Sequence, residues 1–299
     1  MKVLSRLTGE YFGEIKRDED LVKIDGVVFH EFTDKSGKTH KNGYYIPSGD
    51  TEILRTLVRI LLEEKHETDL NCVDVSNITD MSRLFYYCVD TNFDVSAWDV
   101  SKVVNMNGIF SGTDGFNCPL NDWNVSNVET MIDMFSGATS FNQPLDKWNV
   151  SRVKSMHGTF RSTSSFNQPL NSWDVSGVKS MSFMFYGSKY NQPLDKWDVG
   201  NVEDMSYMFY GASYFNQSIN DWNVEKVSDM REMFCCAKSF NQPLDKWDMG
   251  NVKDISNMFD YATKFNQNLD SWNINTRKMN STFNKCPIEK HPPKWYKNR

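Results

Sequence analysis

From about residue 71 onward the apolar positions keep a fixed beat. Tryptophans stand at 98, 123, 148, 173, 197, 222, 247 and 272, spaced by 25 residues with one interval of 24. A period of this size marks a repeat array in which each unit buries its apolar face against the next. Within one unit, Leu145, Trp148 and Val150 follow L-x-x-L-x-L, which predicts a short strand with those three side chains inward. Ser151 stands where a helix N-cap belongs, as do Ser76, Ser101, Ser126 and Ser176, with Gly200 and Gly250 as weaker caps. Beyond the cap the apolar period lengthens: in the preceding unit Val128, Met131, Met134, Phe135 and Ala138 make one helical stripe. Gly112, Gly137, Gly187 and Gly211 close that predicted helix in the left-handed conformation. Phe-Asn-Gln-Pro-Leu at 141–145 then returns the chain to the next strand, because proline cannot continue a helix.

The array opens near residue 71, where Val73 holds the tryptophan position, and it degrades after Trp272 among Pro287, Pro292 and Pro293. The predicted fold is therefore α/β: a solenoid of about eight to nine strand-turn-helix coils over 71–284, with a C-terminal cap or tail at 285–299. Residues 1–70 lack the period. Apolar runs on either side of Asp25-Gly26 predict a hairpin there. Ser48 or Asp50 is positioned to cap a helix over 51–65 whose face carries Ile53, Leu54, Leu57, Val58, Leu61 and Leu62. A small β-plus-helix cap sealing the first coil is the expected N-terminal domain.

Composition narrows the function classes. The net charge of −6 divides evenly, with 11 Lys/Arg against 14 Asp/Glu in residues 1–70 and 22 against 25 in the remainder. No basic stripe results, so nucleic acid is not an expected partner. No segment approaches the length of a membrane span, and Met1 to Glu10 lacks a secretory apolar core. A cytoplasmic location follows from that reading. The six cysteines share no spacing with the repeats and are expected as unpaired thiols. The five histidines fall at no metal-ligand spacing, and nucleophile-elbow, phosphate-loop and EF-hand signatures are absent. No cofactor, no metal and no enzymatic activity are expected. An N-terminal catalytic domain ranks last, with Glu31, His30 and His40 as its scattered candidates.

Two polar columns remain. Asp99, Asp174, Asp198 and Asp248 follow a tryptophan directly, with asparagine at that place in the other units. Asp146, Asp195, Asp245 and Asp270 stand two residues before one. These eight carboxylates are the candidate partner-binding residues of an exposed strand face; the plainer account is that Asp and Asn make local turn hydrogen bonds. The asparagine of the Phe-Asn-Gln-Pro-Leu segment (Asn117, Asn142, Asn167, Asn191, Asn216, Asn241, Asn266) reads as a structural ladder, its amide bridging neighbouring turns. The methionines read as core filler.

The unit W-D/N-V-S-N-V-x-x-M-x-x-M-F-x-G-A-x-x-F-N-Q-P-L, close at Trp123–Leu145, Trp148–Leu170, Trp197–Ile219 and Trp222–Leu244, resembles the BspA-like leucine-rich repeat family of bacterial surface proteins. The resemblance covers about three quarters of the chain. It implies a right-handed leucine-rich-repeat-like solenoid that binds proteins or cell surfaces, with no shared catalytic residues. The expected function is non-enzymatic, adhesion-type recognition of a protein or glycan by a monomer. The alternatives are an intracellular protein-interaction scaffold and the N-terminal enzyme. The resemblance also sets a cell-surface or secreted location against the cytoplasmic one.

Overall fold

The computed structural model describes residues 2–4, 11–14, 16–18, 21–88 and 92–297. Its regular elements lie at the two ends. Four short strands, β1 (Lys2–Leu4), β2 (Tyr11–Glu14), β3 (Lys16–Asp18) and β4 (Leu21–Lys23), pair antiparallel as β1–β2 and β3–β4. Strands β5 (Val28–Thr33) and β6 (Thr39–Tyr45) form a hairpin, and β6 continues in parallel onto β7 (Val73–Asp74). The turn expected at Asp25-Gly26 is present, with Gly26 at φ 84° and a Val27 N–H to Ile24 O bond of 3.1 Å. It joins two different sheets, however. β5 takes β6 as its partner because the Asp34 carboxylate organises the tighter turn, accepting from Ser36 N at 2.9 Å and Lys38 N at 3.0 Å.

Helix α1 (Thr51–Arg59) starts where expected. Asp50 caps it by accepting from Glu52 N at 2.8 Å and Ile53 N at 3.2 Å, and a wider turn carries the helix through Ile60–Glu64. Leu54, Leu57, Val58, Leu61 and Leu62 are buried against the first repeats, and Ile53 is half-buried.

Between Asp74 and Pro287 the described residues hold neither an α-helix nor a strand longer than a single bridge. This corrects the strand-turn-helix unit. Leu145 to Trp148 is a turn, closed by Trp148 N–H to Leu145 O at 3.2 Å, and the predicted helix is a run of turns. In the unit of Met131, the N–H groups of Met131, Asp133, Phe135 and Gly137 donate to Ser155, His157, Thr159 and Arg161 of the next unit at 2.7–3.2 Å. The alternate N–H groups, of Met134, Ser136 and Ala138, close turns on Met131, Asp133 and Phe135 within the unit. Each of these backbone donors thus has a partner, half along the stack and half locally. Such turns need a left-handed residue at their third position. Asp133 (φ 52°) and Gly137 (φ 72°) supply it, and every unit repeats the pair, from Arg83 and Tyr87 to Ser281 and Lys285. The glycines predicted as left-handed helix ends are left-handed, as turn residues.

The repeats stack in parallel. One bridge per unit runs Asp80, Asn105, Thr130, Ser155, Ser180, Asp204, Asp229, Asp254. Inside, the phenylalanines stack in columns, with Phe135 on Phe160 at 5.6 Å and Phe160 on Phe185 at 5.8 Å. The repeat tryptophans are buried, as expected of the central residue of each unit. The asparagine ladder also forms: Asn142 N–H donates to Asn117 Oδ1 at 2.9 Å, and the same bond recurs up to Asn266 on Asn241.

Both ends of the stack are covered. Thr51 Oγ1 and Arg55 Nη2 of α1 donate to the carbonyls of Asp80 and Ser82, each at 2.7 Å, positions that receive backbone N–H groups in inner units. At the far end α2 (Lys294–Lys297) brings Trp295 onto Trp272, with ring centroids 6.0 Å apart.

Candidate interaction surface

The turn run sets side chains two in, two out. Met131, Met134, Phe135 and Ala138 are buried, whereas Ile132, Asp133, Ser136 and Gly137 lie at the surface. The backbone fixes the inward set, so chemistry that varies between units resides in the outward set. Two positions matter most, the second and fifth after the core methionine. From Met81 onward the second reads Arg83, Gly108, Asp133, Gly158, Phe183, Tyr207, Glu232, Asn257, and the fifth reads Tyr86, Ser111, Ser136, Arg161, Tyr186, Tyr210, Cys235, Asp260.

Glycine, serine or aspartate stands at several of these places, and two consecutive units carry four aromatic rings. Phe183 stacks on Tyr207 at 4.4 Å and Tyr186 on Tyr210 at 4.6 Å, with interplanar angles of 12° and 3°. All four are half-exposed. Arg161 lies over the rings of Phe183 and Tyr186, 5.5 and 5.2 Å from their centroids, and His157 flanks Phe183 at 5.3 Å. On the opposite side the Tyr207 hydroxyl donates to Glu232 Oε1 at 3.1 Å. The Glu232 carboxylate and burial together push the Tyr207 phenol up, burial being the larger cause.

Phe183 (φ 58°) and Tyr207 (φ 59°) also occupy the left-handed conformation. That conformation costs a bulky residue about 1–2 kcal/mol; Gly108, Gly158 and Asn257 fill the same place at little cost, while Arg83 and Glu232 hold it as Phe183 and Tyr207 do, so it belongs to the turn run of every unit. No single-unit motif flags this cluster; only aligning the units shows four rings between Gly158 and Arg161 on one side and Glu232 and Cys235 on the other.

The carboxylates singled out from the sequence have structural partners. Asp174, Asp198 and Asp248 accept from the backbone N–H two residues on, Ser176, Gly200 and Gly250, at 2.9–3.1 Å, as Asn149 does from Ser151. The serines read as N-caps are thus donors in these turns. Asp99 accepts likewise from Ser101 at 3.2 Å and lies 3.3 Å from Lys35 Nζ. Asp146, Asp195 and Asp245 each accept from an asparagine of the preceding unit, Asn121, Asn171 and Asn220, at 2.9–3.0 Å. Asp270 accepts from Lys294 N at 3.0 Å and so helps seat α2.

A concavity of about 290 Å³ opens between the β5–β6 turn and the first repeats and is lined by Phe32, Asp34, Lys35, Asp74, Trp98 and Asp99. Its acidic groups are also engaged. Burial pushes the Asp34 carboxyl up, but hydrogen bonds from Ser36, His40 and Lys38 outweigh it and hold the group at about 2. His40 Nε2 lies 2.8 Å from Asp34 Oδ2, and His30 Nε2 3.0 Å from Asp74 Oδ2. Glu31 neighbours these residues on β5. Among the described residues no group of three or more His, Cys, Asp or Glu is arranged to hold a metal ion, and no helix is long and apolar enough to cross a membrane. The six cysteines are free thiols, and burial pushes Cys118 and Cys286 up to about 12.

The model of the family described as "Mycoplasma protein of unknown function, DUF285" matches the chain three times, at residues 61–163, 130–201 and 187–295. The matches overlap and together take in the wider turn after α1 from Leu61, the repeat stack and the first part of α2. No curated protein and no solved structure matches the chain.

Proposed function

The chain belongs to the family described as "Mycoplasma protein of unknown function, DUF285", and we propose that it is a non-enzymatic interaction protein that binds a protein partner through the aromatic face of its repeats. We read the stack as a solenoid of the BspA-like kind, serving adhesion or surface-type recognition. The observation that carries the reading is the array of Phe183, Tyr186, Tyr207 and Tyr210. It sets four stacked, half-exposed rings at the outward positions of two consecutive units, with Arg161 over one end and Glu232 bonded at the other. Aromatic side chains flanked by arginine are the side chains on which interfaces concentrate binding energy. The eight aspartates support this placement from the other side, since each is tied to the scaffold by hydrogen bonds or an ion pair.

The test uses the full chain immobilised against host-cell membrane extract, wild type beside a Phe183→Asn/Tyr207→Asn variant. Asparagine is chosen because it tolerates the left-handed conformation. A protein retained by the wild type and lost by the variant is the expected result. Equal retention by both removes the aromatic face from the account.

A further inference from the structure

Cys235 and Cys236 stand at the fifth and sixth places after the core residue Met230, the outward pair of their unit. Met233 and Phe234 before them and Ala237 after them are buried in the core. In extended chain, consecutive side chains point to opposite faces. Here the left-handed turn at Cys236 (φ 59°) sets both on one side, and the two Sγ atoms lie 3.8 Å apart. The other four cysteines have no cysteine beside them in the sequence. Those at 118 and 286 direct their thiols to backbone carbonyls, of Pro119 at 3.6 Å and of Phe283 at 3.1 Å.

The two thiols are unequal. Oxidation-sensing cysteines are open to solvent and have a second thiol within reach to resolve the product. Cys236 is half-buried, whereas Cys235 is buried. Burial pushes the Cys235 thiol up, with Cys236, Asp260 and Glu232 adding to it, so Cys235 keeps its proton while Cys236 meets the solvent.

We propose that Cys235 and Cys236 are a reversible two-electron modification site for hydroperoxides, closing to a disulfide between adjacent residues and reopening with a small-molecule thiol. The Cys236 thiolate attacks the outer oxygen of the peroxide and the O–O bond breaks. The leaving oxygen takes up the proton Cys236 gave up, departing as alcohol or water, and Cys236 becomes a sulfenic acid. Its charge no longer opposes ionisation of Cys235, whose sulfur attacks the sulfenic sulfur. The S–S bond forms, the S–O bond breaks, and hydroxide leaves as water with the Cys235 proton. Two thiols are oxidised by two electrons, and one hydroperoxide is reduced to an alcohol and water.

Closure reaches the backbone. Consecutive Cα atoms lie about 3.8 Å apart, closer than the roughly 4.4–6.8 Å of ordinary disulfides, so the ring is strained and easily reduced. The peptide group between the two residues has to move, and it ties together three units. Its carbonyl, on Cys235, accepts from Gly211 N at 2.7 Å, and its N–H, on Cys236, donates to Asp260 O at 2.8 Å. Gly211 follows Tyr210, whose phenol is pushed up to about 12 with Cys235 the largest cause. Oxidation therefore loosens the end of the aromatic face, while the chemistry of the site stands whether or not that face binds a partner.

The full chain is treated with hydrogen peroxide in rising ratio, blocked with iodoacetamide and cut with trypsin. Glu232 to Lys238 is then one fragment holding both thiols. It is expected to lose two hydrogens and both alkylations at least about tenfold faster than any of the other four thiols is consumed. Glutathione should restore both alkylations. Cys235→Ser should hold a sulfenic acid on Cys236 that dimedone traps, and Cys236→Ser should hold none on Cys235. Amide exchange at Gly211 and Cys236 should rise at least about tenfold on oxidation of the wild type. A fragment that keeps both alkylations until the other thiols are gone overturns the site. So does a sulfinic acid in place of the bridge, or a bridge between two chains. Trapping on Cys235 in Cys236→Ser overturns the order of attack, and unchanged exchange at Gly211 in the bridged protein overturns its reach to the face.

Discussion

Trp148 Nε1 donates to the carbonyl of Leu120, 28 residues earlier in the chain, at 2.8 Å. The bond recurs from Trp98 on Leu70 to Trp295 on Leu269, so the indole that fills the core also links successive units. Trp148→Phe keeps much of the apolar bulk and removes the donor, leaving the Leu120 carbonyl with only its turn bond from Trp123 N–H at 3.0 Å. A loss of about 2–4 kcal/mol is expected from that carbonyl and the residual void. Urea unfolding of the two proteins measures it, and an unchanged midpoint would mean the indole N–H contributes nothing to the stack.

The same residues show how far the sequence could be read. The 25-residue period, the buried tryptophans, the asparagine ladder and the α1 cap at Asp50 are all visible in residue type and spacing. The helix was misread for a physical reason: Met131, Met134, Phe135 and Ala138 stand at i, i+3, i+4 and i+7, a spacing common to one helical face and to a turn run with two side chains in and two out. What separates the two is left-handed backbone at Asp133, Phe183 and Tyr207, residue types that do not announce it. The strand at Leu145 was inferred from L-x-x-L-x-L, which a turn followed by extended chain also satisfies. The aromatic face went unread because its four members are ordinary residues one unit at a time.

The first unit depends on α1 for donors that no earlier unit provides. Thr51→Val removes the hydroxyl bonded to Asp80 O, and Arg55→Met removes the guanidinium on Ser82 O. Each should cost about 1–2 kcal/mol, with faster amide exchange confined to the first repeats. Uniform loss of protection along the whole stack would contradict a local capping role.

Tyr190 replaces phenylalanine in a core column, in the unit that is one residue short, and its hydroxyl is fully buried without a geometrically sound partner. Burial pushes this phenol strongly up. Tyr190→Phe is expected to leave stability unchanged or raise it by about 1 kcal/mol, read as a higher melting temperature. A clear drop would reveal a hydrogen bond to the Tyr190 hydroxyl that matters.

Phe183→Asn sets two terms of similar size against each other. Relief of left-handed strain returns about 1–2 kcal/mol, and loss of the stacking with Tyr207 removes about 0.5–1.5 kcal/mol beyond ring burial. The variant should therefore fold within about 1 kcal/mol of wild type while losing its partner, which calorimetry beside the capture assay would register. A destabilisation of several kcal/mol would make Phe183 a structural residue.

The most direct measurement is oxidative footprinting of the full chain with and without the partner retained from membrane extract, read residue by residue. The account predicts that Phe183, Tyr186, Tyr207 and Tyr210 become protected while the edge bearing Asp146, Asp195 and Asp245 keeps its reactivity. Protection of that acidic edge with the four rings left open would contradict it and return recognition to the aspartate columns.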